Sequence, residues 1–190
     1  MRQFFADARA AVRWACTVEG SAGRPLSARM LDRSRPRGDD WTETATQAGI
    51  VWRTLKPLSG APISTLVARM APRTIPCRCR RACCKGERTS VLWHDAIEIL
   101  CASALSAGLA CRRYAERQVL LVRIYGEHRT NREIAAELGL DEHTLGRHAK
   151  DLELWIGLRG KEGVEPQAWR EATDLLTGAG ILGEQESAES

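Results

Sequence analysis

Aromatic side chains make up only 5% of this 190-residue chain, and sustained runs of β-branched residues are lacking. That composition argues against a β-sandwich or barrel, whose strands draw on both residue types. No apolar run approaches the length needed to span a bilayer, and the opening MRQFFADARAAVRWAC has no secretory h-region or cleavage signature. The chain also lacks a Gly-rich phosphate loop and an HExxH pair. His94 and Asp95 are neighbours on an apolar helix and read as a core edge. His128, His143 and His148 have no metal-ligand spacing to an acid. These absences predict a cytoplasmic protein that is not an enzyme, with no membrane partner and no small-molecule substrate. Its seven cysteines are then reduced thiols unless they hold metal.

Leu and Ala are abundant, which favours an all-α chain. Residues 2–18 fit an amphipathic helix with Phe5, Ala8, Val12 and Ala15 on one face. A loop rich in Gly, Pro, Ser and Arg follows over 19–39. Asp40 suits the cap of a helix from Trp41 to about residue 56, ended by Pro57, and a short helix over 63–70 stops before Pro72. Ser90 starts an apolar helix that ends near Gly108, and residues 113–125 make another. Pro166 suits the first turn of a last helix before Gly178. The expected divisions are a helical N-terminal region (1–72), a cysteine-rich knot with its following helix (73–110), a helix-turn-helix domain (111–161), and a final helix with an acidic tail (162–190). The six tryptophans fall near apolar helix faces and read as core.

The densest signal is TNREIAAELGLDEHTLGRHAKDLELWIG, residues 130–157. Ile134, Ala135 and Leu138 form an apolar stripe, Gly139-Leu140-Asp141 breaks it, and Leu145, Ala149, Leu152 and Ile156 resume it on a second helix. Ala135 is small where two helices cross, Gly139 suits a turn with positive φ, Leu140 fills the wedge, and Asp141 is a helix cap. This is the pattern of a helix-turn-helix; an ordinary helical hairpin in a bundle core is the alternative. Charge is unevenly spread. Residues 69–88 carry seven Lys/Arg against Glu87 alone, and residues 162–190 carry seven acids against Arg170 alone. A basic centre with an acidic tail fits a nucleic-acid binder; a tail that serves only solubility is the simpler reading. Residues 130–161 hold five basic and six acidic side chains, so the motif needs phosphate contacts from elsewhere, such as Arg80 and Arg81, or docks a protein.

Residues 116–156, ERQVLLVRIYGEHRTNREIAAELGLDEHTLGRHAKDLELWI, resemble region 4 of sigma-70 factors and the effector domains of NarL/LuxR-type regulators. There a first helix precedes an EIAAxLG helix, a tight turn and a recognition helix. The resemblance implies that Glu142, His143, Thr144 and Arg147 sit where base and phosphate contacts are made on double-stranded DNA. The chemistry of these side chains agrees. Arg147 can pair bidentately with guanine and Glu142 can accept from cytosine, while His148 or Lys150 can meet phosphate. The resemblance also allows docking on RNA polymerase, which sigma region 4 contacts.

Cys77, Cys79, Cys83 and Cys84 fall within IPCRCRRACCKGE. Four thiolates can close a tetrahedral structural zinc site, and the neighbouring arginines favour deprotonated ligands. The spacing is CxC then CC rather than paired CxxC, so His94, Cys101 or Cys111 can replace one ligand, with His94 first among them. Unliganded thiols and a redox-active disulfide are the alternatives. Cys16, Cys101 and Cys111 sit among apolar residues and read as core.

The order of CC at 83–84, HDAIEILCASAL at 94–105, LLVRIYG, and LDEHTLGRHAKDLELWIGLRG resembles the Q antiterminators of the phage 21 type. That resemblance implies a phage protein that binds promoter DNA and loads onto paused RNA polymerase. Three functions stay open: a sequence-specific DNA-binding transcription regulator, a Q-type antiterminator, and a zinc- or thiol-dependent sensor. A terminase small subunit is a further phage reading.

Overall fold

Asp7 sets the start of the first helix, its carboxylate accepting from the Ala10 N–H at 2.7 Å. The computed structural model describes residues 5–20, 41–77, 86–158, 160 and 162–183. Helix α1 therefore runs Ala8–Gly20 instead of beginning at residue 2, because the capping carboxylate accepts from one of the unpaired N–H groups of its first turn. Phe5 lies outside the helix in a parallel bridge with Leu182. Its N–H donates to the Ile181 carbonyl at 3.2 Å, and its carbonyl accepts from Gly183 at 3.0 Å. The two ends of the described chain are thus tied together.

Helix α2 spans Trp41–Thr54, and α3 spans Ala61–Met70 with a proline in its first turn, where no N–H is needed. The chain leaves α3 through an extended Ala71 ahead of Pro72, whose ring disfavours a helical predecessor. Here the structure departs from a purely α chain. Strands β1 (Thr74–Pro76) and β2 (Glu87–Thr89) pair antiparallel, with Thr74 opposite Thr89 and Pro76 opposite Glu87. Three residues per strand are too few for alternation to show in sequence.

Ser90 accepts from the Trp93 N–H at 3.4 Å and caps α4, Val91–Ser106. Helices α5 (Tyr114–Ile124), α6 (Asn131–Leu138), α7 (Glu142–Ile156) and α8 (Val164–Gly178) complete the described set. The chain is predominantly helical, with one small two-stranded sheet among the described residues. None of these helices is long and apolar enough to cross a membrane.

Helix α4 is the axis of the core. Leu92, Trp93, Ala96, Ile97, Leu100, Cys101 and Ala104 are all buried, so it packs against α3 on one side and α5 on the other. Trp93 uses its indole N–H as well as its rings, donating to the Ala68 carbonyl at 3.2 Å. Helix α1 covers α2 and α3, and α8 lies along α3. One hydrophobic cluster runs from Phe5 to Ile181 and takes residues from all eight helices. Leu100 is 0% exposed, and truncating such a leucine to Ala costs about 2–5 kcal/mol. Trp14, Trp52, Trp155 and Trp169 pack on the edge of the cluster. Cys16 and Cys101 are buried within it.

Candidate nucleic-acid interface

The α6–α7 pair is built by local chemistry. Thr130 and Glu133 form a capping box: Thr130 Oγ1 accepts from the Glu133 N–H at 3.2 Å, and Glu133 Oε2 accepts from the Thr130 N–H at 2.7 Å. That bonding holds the Glu133 carboxyl below its ordinary range. Helix α6 ends on Gly139 in the left-handed region, φ 62° and ψ 38°, and the Leu140 N–H then donates to the Ala135 carbonyl at 2.9 Å. Asp141 caps α7 by accepting from the Thr144 N–H at 2.8 Å, and this bond lowers its carboxyl pKa as well.

Packing orients the pair. Ile134 and Ala135 of α6 and Leu145, Ala149, Leu152 and Ile156 of α7 are buried, with Leu138 and Leu140 packed at the edge of the core. Arg123, at the end of α5, binds both helices. It donates to Glu153 Oε1 of α7 at 2.9 Å and to the Asn131 side chain of α6. These contacts fix which side of α7 faces outward.

Of the residues singled out for DNA contact, Glu142, His143, Arg147 and Lys150 are exposed, and Thr144 is half-buried. His143, Arg147, Lys150 and Leu154 share one outward face at helical spacing. Arg147 Nη2 lies 3.4 Å from the Thr144 hydroxyl. His148 points elsewhere: its Nδ1 stands 2.5 Å from Glu116 Oε1 on α5. Arg80 and Arg81 lie outside the described residues. Of the basic segment around them, Arg73 and Arg88 are exposed. Arg69 is engaged with Glu165, Nε to Oε1 at 2.9 Å and Nη2 to Oε2 at 2.8 Å. A basic residue of the centre is thus paired with an acid of the C-terminal segment.

Cys79, Cys83 and Cys84 also lie outside the described residues. Cys77 is a free, half-buried thiol at the mouth of the β1–β2 hairpin, its N–H donating to the Gly86 carbonyl at 2.7 Å. His94, the first substitute ligand on sequence grounds, is 56% exposed and lies 3.7 Å from Glu98. Cys111 instead joins Glu116 and His148 in a group whose donor atoms lie within 4.8 Å of one another and can hold a metal ion. This corrects the expectation that His148 lacks an acid partner: its carboxylate is 32 residues upstream, on a crossing helix. Burial pushes the Cys111 thiol up to about 12, and the Glu116 carboxylate beside it adds to the shift. Cys101 is likewise raised to about 12, chiefly by burial.

Comparison with known protein families, curated proteins and solved structures finds no match to this chain.

Proposed function

We propose that this protein is a sequence-specific DNA-binding transcription regulator in which α7 enters the major groove. One observation carries the reading. The capping box, the left-handed Gly139 and the Asp141 cap turn α7 so that its apolar side is anchored, while Glu142, His143, Arg147 and Lys150 face solvent together. That is the side-chain set a groove-reading helix requires: bidentate and single donors and an acceptor, near the helix N-terminus. Phosphate contacts come from the arginine-rich segment, with Arg80 and Arg81 the assigned residues. Cys77, Cys79, Cys83 and Cys84 hold one structural zinc in this reading, supported by the hairpin that brackets residues 77–86. Selection from a random duplex pool, followed by a salt titration of the best site, tests it. Enrichment of one sequence supports the regulator. Equal retention of all sequences rejects it.

A polymerase-associated factor of the Q-antiterminator kind is the second reading. It is favoured by Leu154 and Leu158, which are 52% and 45% exposed just beyond Lys150. Exposed leucines suit a protein partner rather than a phosphate backbone.

A further inference from the structure

A thiol, a carboxylate and an imidazole meet where α7 crosses the start of α5. Cys111 lies in the connection leading into α5, Glu116 in its first turn, and His148 midway along α7. Cys111 is 1% and Glu116 3% exposed, while the His148 side chain keeps 18% of its surface.

The neighbouring Arg117 is also buried, at 3% exposure. Its Nη1 donates to the backbone carbonyls of Cys111 at 2.9 Å and Arg112 at 2.6 Å. Its Nε has no hydrogen-bond partner among the described residues. Its positive charge lowers the Cys111 thiol pKa only in part: burial and then Glu116 outweigh it, and the thiol stands at about 12 without a bound cation. Among the described residues, no lysine or arginine forms an ion pair with the Glu116 carboxylate, which instead meets the His148 ring. A buried carboxylate beside a thiol and an imidazole is a donor set short of a cation.

We propose that Cys111, Glu116 and His148 bind one zinc ion, which clamps α7 to the start of α5. Thiolate, imidazole and carboxylate together are a zinc set. At ordinary zinc bond lengths, tetrahedral ligand atoms stand about 3.3–3.6 Å apart, within the 4.8 Å spread of the group. The His148–Glu116 pair, at 2.5 Å, opens by roughly 1 Å to admit the ion. On binding, the Cys111 thiol proton leaves to solvent and sulfur binds as thiolate. His148 gives its Nδ1 lone pair with the ring proton on Nε2, and Glu116 binds as carboxylate. One divalent cation with two anionic ligands is neutral overall, which suits a buried site. Water takes the fourth position, on the side where His148 is exposed. The proposal stands apart from what α7 reads, and its test involves no DNA.

The test titrates Co²⁺ into the full chain carrying Cys79→Ser, Cys83→Ser and Cys84→Ser, which removes thiols of the hairpin cluster. One equivalent of cobalt is expected, with a single-sulfur charge-transfer band and release of about one proton per metal. Cys111→Ser should abolish the band. His148→Gln should weaken cobalt binding by on the order of a hundredfold or more, since loss of a ligand exceeds loss of its supporting hydrogen bonds. Far-UV circular dichroism reports folding of each variant. If the serine-substituted chain does not fold, the same two substitutions in the unsubstituted chain should each lower cobalt stoichiometry by one equivalent. A folded protein that binds no cobalt, or a folded His148→Gln variant that binds as tightly as its parent, overturns the proposal. The three residues would then form only a buried hydrogen-bonded cluster.

Discussion

Gly163 is pressed against Gly157: a Cβ on Gly163 would stand 2.6 Å from the Gly157 nitrogen. Gly163 also has φ 133°, a conformation that L side chains rarely adopt. The end of α7 and the start of α8 therefore share a contact that any side chain disrupts. Gly163→Ala should lower stability by about 2–5 kcal/mol, combining backbone strain with forced displacement. Gly139→Ala is the control. It has the same need for positive φ but nothing within 4 Å of its added Cβ, so it should lose only about 1–2 kcal/mol. Urea denaturation of the two variants checks the difference. Equal midpoints would mean that the close approach of the two backbones contributes nothing.

Arg69 and Glu165 form a two-bond ion pair with side-chain exposures of 31% and 11%, and the guanidinium also lies 4.7 Å from the Tyr125 ring centroid. The hydrogen bonds to Glu165 raise the Arg69 pKa. The pair joins α3 to α8. Glu165→Ala should cost about 1–3 kcal/mol, the range for a charged hydrogen bond in a partly buried setting. Glu165→Gln keeps one acceptor and should lose less. Matching losses for the two variants in urea melts would show that the carboxylate charge is irrelevant.

The turn between α6 and α7 was legible in the sequence because its parts have local signatures, Gly139 at the break and Asp141 at the restart, whereas the Thr130–Glu133 capping box, though equally local, was not read from it. Caps and turns are decided by neighbouring residues, so one sequence suffices to read them. The β1–β2 hairpin was missed because strands this short show no period. The Cys111–Glu116–His148 group was missed for a different reason. Its members come from a loop and two helices, and only the crossing of α7 over α5 brings them together. The inward turn of His148 was also hidden, since its neighbours Arg147 and Lys150 are both exposed. Position 148 lies between the outward face and the buried stripe of α7, and the partner on α5 decides its direction.

Acid should loosen the α6–α7 turn. The Asp141 and Glu133 carboxyls are both held below their ordinary values, mainly by accepting backbone hydrogen bonds from Thr144 and Thr130. A carboxyl depressed in the folded state contributes stability that is fully present above its unfolded pKa, about pH 4. That contribution is lost as pH falls through the lower folded value. Asp141→Asn keeps a capping oxygen but cannot titrate. Its thermal midpoint should therefore fall less than that of the parent between neutral pH and the acid limb. An unchanged pH profile in the double variant Asp141→Asn, Glu133→Gln would remove the caps as the cause.

Arg147 distinguishes the two functional readings. It is exposed on the face it shares with His143 and Lys150, and the structure gives it no ion pair among the described residues. In the DNA-reading arrangement Arg147→Ala should lose about 1–3 kcal/mol on the preferred site and relax its specificity there. Arg80→Ala and Arg81→Ala should weaken all duplexes alike and reduce the salt dependence, because a phosphate contact releases counterions without reading sequence. Leu154→Ala should leave the affinity for DNA unchanged, lying one turn beyond the polar set. The polymerase-docking arrangement reverses this pattern. There Leu154→Ala and Leu158→Ala abolish capture of RNA polymerase, and Arg147→Ala leaves duplex affinity untouched. Measuring both partners on the same set of variants separates the readings, since each substitution is expected to affect one partner and spare the other.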